Sequence, residues 1–251
     1  MRKQKIQRPN GFVLYEGPSA IDGSPIVVIL VGLESKSANA KTGAMVQSYI
    51  LRADVDPIEA KRAGTDGAIC GTCPHRSRAG GGSGACYVNV GQGPRAVWYA
   101  WRAGKYPRAS VGEALHMLRG RAVRIGSYGD PAAVPDSGGF WARLTLLAKT
   151  RTGYTHRWRD IGAELRGVTM ASVDSAEEAR EARAMGWATF RVAAIGDSAR
   201  DIGEARCPAS AEAGKRVVCA KCPLACDGTR DRVVGRVIVA HGATRKRFAA
   251  A

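Results

Sequence analysis

The stretch 167–196, GVTMASVDSAEEAREARAMGWATFRVAAIG, reads as strand, helix, strand. GVTMASVD is an apolar, β-branched run of strand length. Ser175 with Glu178 three residues later forms a capping box, and Gly186 is a helix stop after SAEEAREARAMG. ATFRVAAIG is strand-like again. Two strands joined by a helix run parallel, with a right-handed crossover.

The same alternation extends upstream. PRAVWYAWRAGKYP (94–107) predicts a short helix ended by Gly104 and Pro107, and VGEALHMLRG (111–120) a second. AVRIGSYGDP (122–131) predicts a strand entering a turn, and FWARLTLLAKT (140–150) a helix. GYTHRW (153–158) reads as a short strand and DIGAELR (160–166) as a short helix. Residues 11–52 carry the β-rich runs FVLYEG, PIVVILVG and MVQSYILR, with DGSP as the tight turn between the first two. DRVVGRVIVAHG (231–242) predicts a last strand. The fold class expected is α/β, a partial βα barrel or an open parallel sheet, with an N-terminal β segment and cysteine-rich metal-binding loops. The expected organisation is one domain over residues 11–242, with basic flexible tails at 1–10 and 243–251.

Hydrophobic residues make up 45% of the 251, which is enough for an apolar core and argues against wholesale disorder. The longest apolar run, PIVVILVGL, is too short to cross a bilayer, so no membrane partner is expected. MRKQKIQRPNGF is basic without an apolar stretch behind it, unlike a secretory signal, and a cytoplasmic location is the default. Lys and Arg total 38 against 22 Asp and Glu, a net charge of +16. Such a surplus attracts polyanions, so nucleic acid is the expected partner; the alternative is a solvated basic surface.

Seven cysteines cannot all pair internally, and cytosolic thiols stay reduced. They fall into two groups. Cys219, Cys222 and Cys226, with Cys207 upstream, provide four thiolates, the donor set of a closed Zn site or of an iron–sulfur cluster. Cys70, Cys73 and Cys86 provide three. Either one metal position stays open, or His75 in CPHR closes the site and AGGGSG is a plain surface loop.

Active sites of parallel α/β proteins lie at the carboxyl ends of the strands. Those ends supply Asp130, His156 and Asp174 as candidate catalytic groups, and Ser127, Tyr128 and Ser172 as candidate cofactor-binding groups. Tyr154, Thr155 and Asp197 belong to the same set of strand ends. Asp130 before Pro131 is equally a turn initiator, and Asp174 or Ser175 a helix cap. His116, in ALHML, reads as a packed helix residue.

The ordered motifs NAKTGAMVQSYIL, CGTCPHR, CYVNVGQGP, GSYGDP, GYTH, ASVDS, CPAS and CAKCPLACDG resemble a family of phage and mobile-element gene products. That resemblance covers Asn39 to Gly242 and implies no particular reaction. A more distant likeness is to radical S-adenosylmethionine enzymes, whose Cys-x3-Cys-x2-Cys motif, often followed by Tyr, precedes a partial βα barrel. Cys70, Cys73, Cys86 and Tyr87 are similar in kind and order, with x2 and x12 spacings in place of x3 and x2. That likeness implies an iron–sulfur cluster with S-adenosylmethionine, and an auxiliary cluster at the C-terminal cysteines. The segment DSGGF at Asp136–Phe140 is similar to one in queuine-type tRNA-guanine transglycosylases, a match confined to those residues. The expected activity is therefore that of an iron–sulfur enzyme acting on nucleic acid or nucleotide. The alternative is a zinc-stabilised nucleic-acid-binding protein without catalysis.

Overall fold

The structure is a computed structural model that describes residues 9–35, 39–195, 203–214, 217–224, 226–229 and 235–248. Strand β1 (Gly11–Pro18) pairs antiparallel with β2 (Pro25–Val31), and β2 antiparallel with β3 (Val46–Arg52). From β3 onwards every pairing is parallel. Strands β4 (Ala122–Tyr128) and β5 (Thr150–Thr152) complete a first sheet in the order β1-β2-β3-β4-β5. Strands β6 (Tyr154–Thr155), β7 (Met170–Val173), β8 (Thr189–Ala193), β9 (Glu204–Arg206) and β10 (Gly235–Val239) form a second, in the order β6-β7-β8-β10-β9. The result is a mixed α/β fold with no closed barrel among the described residues.

The two sheets share one run of chain. Strands β5 and β6 are separated only by Gly153, where the segment leaves β4 and takes up β7. A Cβ on Gly153 would lie 2.8 Å from Thr169 Cγ2 and 3.0 Å from Ile125 Cβ, so only glycine lets the strand pass between them. Gly153 also donates to the carbonyl of Cys226 at 3.1 Å, which fixes the C-terminal cysteine segment at this junction.

The core explains the apolar runs. Ile26 to Leu30 are fully buried in β2, covered on both faces rather than alternating. Trp141, Trp158 and Trp187 are buried in one core to which helices α3 (Gly93–Arg102), α4 (Val111–Met117), α5 (Ser137–Leu144) and α6 (Ala176–Ala184) also contribute. Two short helices, α1 (Pro57–Ala63) and α2 (Gly67–Cys70), occupy sequence that carried no expected element or was expected to be loop. A final turn, α7 (Arg245–Phe248), lies in the stretch expected as a basic tail.

Several boundaries differ from expectation. Helix α5 ends at Leu144, and Thr150, expected at its end, begins β5 instead. Of DIGAELR only Ala163–Leu165 turns, as 3₁₀. His116 is exposed on α4 rather than packed. Of the last predicted strand, Gly235–Val239 is formed; residues 231–234 lie outside the described residues.

Candidate metal centre and strand-end site

The first cysteine loop is built by Arg76. Its guanidinium donates to Asp66 Oδ1 at 2.9 and 2.7 Å, to the carbonyl of Gly71 at 2.9 Å, and to the carbonyl of Gly64. Residues 74–76 then pair with 83–86: Ser83 N donates to Pro74 O at 2.8 Å, Gly84 N to Arg76 O at 2.7 Å, and Cys86 N to His75 O at 2.9 Å. This local fold closes the long gap between Cys73 and Cys86. Gly80 and Gly82 lie so close to Arg76 that a Cβ would collide with it. The glycine-rich segment therefore packs in part against the cysteine loop, with Ala79 and Gly81 exposed.

The loop docks at the carboxyl end of β4, where Asp130 N donates to the carbonyl of Ile69 at 2.6 Å. Asp130 is buried and its two oxygens are occupied within the protein. Oδ1 accepts from Ala132 N at 3.0 Å and Thr155 Oγ1 at 2.8 Å, and Oδ2 from His156 N at 2.9 Å. It initiates the turn after β4 and ties β4 to β6. Burial, the largest influence, raises its pKa.

Asp174 behaves differently. Ser175 Oγ caps α6 by accepting from Glu178 N at 3.0 Å, and Glu178 Oε2 accepts from Asp174 N at 2.8 Å. The capping is thus done without the Asp174 carboxylate, which turns to two imidazoles. His75 Nε2 lies 2.8 Å from Oδ1 and His156 Nε2 3.5 Å from Oδ2. Ligand atoms of His75, His156 and Asp174 all fall within 4.8 Å of one another, the separation of a candidate divalent-metal group. Burial opposes protonation of His156, but the adjacent Cys73 and Asp174 outweigh it and hold the pKa well above the ordinary histidine value. Burial likewise opposes ionisation of Asp174, and the two histidines overcome it, keeping its carboxyl well below the usual range.

The Cys73 thiol sits against His156, and Cys70 and Cys86 crowd the same space. Burial first, then Cys73 and Asp66, push the Cys70 thiol well up; burial also raises Cys86. Tyr128 closes this region from β4, its pKa raised well above the ordinary value by burial and then by Cys70. The Ser127 and Tyr128 hydroxyls are buried without a hydrogen-bond partner among the described residues. Ser172 is buried, and its carbonyl accepts from Trp158 Nε1 at 3.2 Å. Among the described residues the side chains grouped closely enough to hold a metal ion are His75, His156 and Asp174, with no cysteine among them. Phe248 of α7 stacks on His75 with ring centroids 4.8 Å apart, and Thr244 Oγ1 donates to Ala85 O at 2.9 Å.

Cys207, Cys219, Cys222 and Cys226 line one cavity of ≈ 20 Å³ with Tyr154 and Lys41. Cys219 N donates to Lys41 O at 3.0 Å, and Cys207 N to Val237 O at 3.0 Å. Burial pushes the Cys226 thiol up to about 12, with the Tyr154 hydroxyl bonded to it in opposition. Burial and Cys207 raise Cys219, while Lys41 and Arg124 pull it down.

The structure therefore brings Cys70, Cys73, Cys86, Asp130, His156 and Asp174 to one end of the parallel strands. Asp197 lies outside the described residues. Arg76 and Phe248 were not read as site residues, and nothing local in the sequence signals their contacts. The chain matches no family model, no curated protein and no solved structure.

Proposed function

We propose that the protein is an iron–sulfur enzyme of radical-S-adenosylmethionine type, built on a partial βα barrel and acting on nucleic acid or nucleotide. The observation that supports this most is the placement of Cys70, Cys73 and Cys86 beside a half-buried His75–Asp174–His156 group at the carboxyl ends of the parallel strands. His75 is engaged by Asp174, so a three-thiolate site keeps one coordination position for a second ligand.

When bound, such a cluster supplies one-electron chemistry to a ligand on its open position. The protein's own residues hold and orient. Arg76 fixes the cysteine loop, and Asp130 locks His156 in place through its backbone. Asp174 and His156 keep a proton beside Cys73, and Phe248 and Tyr128 shield the site from water. The C-terminal thiolates form a second, closed site at the sheet junction.

Anaerobic purification with iron, sulfide and zinc analysis tests the reading. Brown protein absorbing near about 400 nm is expected, as for cysteine-ligated clusters. Cys73→Ser should remove one cluster and Cys222→Ser the other. Stoichiometric zinc without iron, and no colour after reconstitution, would leave the zinc-stabilised nucleic-acid-binding protein as the answer.

A further inference from the structure

Three half-buried side chains converge where the cysteine loop meets the strand ends. His75 comes from that loop, His156 directly follows β6, and Asp174 directly follows β7. Ligand atoms of the three fall within 4.8 Å of one another, and no cysteine belongs to the group among the described residues. Asp174 stands between the imidazoles, with Oδ1 2.8 Å from His75 Nε2 and Oδ2 3.5 Å from His156 Nε2. The two rings meet edge to face, their centroids 5.5 Å apart and their planes at 74°. Nitrogen and oxygen donors of one first-row ion, with bonds of about 2.1 Å, lie roughly 3 to 3.5 Å apart. Both observed separations are close to that range.

A carboxylate bridging two imidazoles is the simpler account, and it explains only the bond to His75. His156 Nε2 is enclosed and makes no hydrogen bond among the described residues, and His75 Nδ1 is in the same position. A buried polar atom without a partner is costly, and a coordinating ion is one of the things that offsets it. A cation held with Asp174 gives His156 Nε2 its partner; the bridge alone does not. The donors are also held in place from outside. Glu178 accepts from Asp174 N at 2.8 Å, and Asp130 from His156 N at 2.9 Å. Phe248 stacks on the His75 ring at 4.8 Å. Outer groups of this kind orient metal ligands and tune their affinity.

We propose that His75, His156 and Asp174 bind one first-row divalent cation, at a site distinct from the two cysteine groups. Two imidazole nitrogens and a carboxylate oxygen suit ions such as Fe²⁺, Mn²⁺, Co²⁺ or Zn²⁺, whereas thiolates select softer metals and clusters. Three protein donors leave a position on a tetrahedral or octahedral ion for water or a substrate oxygen. The site is therefore of the open, catalytic kind and not a closed strut. In metal-free protein a proton takes the place of the ion between His75 and Asp174. Neither the donors nor their spacing depends on a cluster at Cys70, Cys73 and Cys86.

Mn²⁺ titration of the full-length, anaerobically purified protein, dialysed first against a chelator and followed by electron paramagnetic resonance, tests this. Mn²⁺ is the chosen probe because it favours carboxylate over thiolate. About one Mn²⁺ per chain should bind, and imidazole nitrogen should modulate the spin echo of the bound ion. Asp174→Asn and His156→Gln should each weaken binding about tenfold or more. Glu177→Gln, which removes an exposed carboxylate from the first turn of α6, should leave it unchanged. If a variant fails to fold, the nitrogen modulation still decides, since it is read on the unaltered chain. No Mn²⁺ binding, bound Mn²⁺ without nitrogen modulation, or unchanged affinity in both variants overturns the proposal, and Asp174 then only bridges two imidazoles. Cys73→Ser should keep its Mn²⁺; loss there would merge the site with the cysteine centre and overturn its separateness. Iron and sulfide are measured on the same samples: Mn²⁺ binding in protein that takes up no iron would sink the cluster reading and leave this site standing.

Discussion

Asp174 illustrates how one side chain is released for chemistry by its neighbours. Aspartate at the end of a strand and the start of a helix is an ordinary cap, and here Ser175 takes that duty. The carboxylate is left between His75 and His156, the first of them 99 positions away in the chain. Asp174 and His156 were readable from their positions at strand ends; their partnership with His75 was not, because it depends on the loop that Arg76 folds. The His156 pKa lies above its unfolded value, so its pairing contributes stability below about pH 6.5 and loses it as pH rises through the raised folded value. Asp174→Asn removes one of the two groups that hold this proton. The His156 titration followed by NMR in metal-free protein should then move to lower pH, with the stability loss on the alkaline side moving down alongside it. An unmoved His156 titration would mean that Asp174 does not face it in solution.

At the scale of elements, the alternation of strand and helix was legible wherever caps and stops punctuate the apolar runs, as at Ser175 and Gly186. Helix α1 also had a local signal that went unread, Asp56 as cap, Pro57 at the first position and Gly64 as a left-handed stop. Strand β5 had none. Thr150–Thr152 follow an apolar helical pattern and become a strand only because β4 offers a free edge. Strand β9 is equally silent, three residues whose place is set by β10 and by the buried Arg191–Glu204 pair at 2.8 Å. The change of sheets at Gly153 is likewise a tertiary property, visible in sequence only as a glycine inside a strand-like run. It should be intolerant of a side chain. Gly153→Ala forces a methyl against Thr169 and Ile125, overpacking that costs about 1–3 kcal/mol. A melting temperature several degrees lower is expected by calorimetry, with the segment at Cys226, whose carbonyl accepts from Gly153, loosened alongside. A variant as stable as the parent would mean the junction has slack.

Over the whole molecule, the net charge of +16 was plain from composition, but its distribution was not. Many arginines are consumed internally, including Arg52 by Asp54, Arg76 by Asp66 and Arg159 by Glu178 and Glu181. The stretch from Gly93 to Gly112 is different, with Arg95, Arg102, Lys105 and Arg108 and no acidic residue. On α3, Arg95 lies over the half-exposed Tyr99 ring at 5.2 Å, and Arg102 over Trp98 and Trp101 at 5.5 and 5.7 Å. Cations interleaved with aromatic rings suit single-stranded nucleic acid, whose phosphates take the charges and whose bases stack. Arg95 and Arg108 are partly engaged by Asp56 and Glu16, so Arg102 and Lys105 are the freer pair. Binding through four such contacts should weaken about fiftyfold between 50 and 200 mM salt through counterion release. Neutralising Arg102 and Lys105 together, as Arg102→Gln with Lys105→Gln, should lower the slope of log affinity against log salt by about 1.4 while leaving base preference unchanged. Fluorescence anisotropy with a labelled single strand measures both quantities. A slope that stays the same in the double variant would place the contacts on another face. No binding at 50 mM salt would show that the surplus charge only keeps the protein solvated.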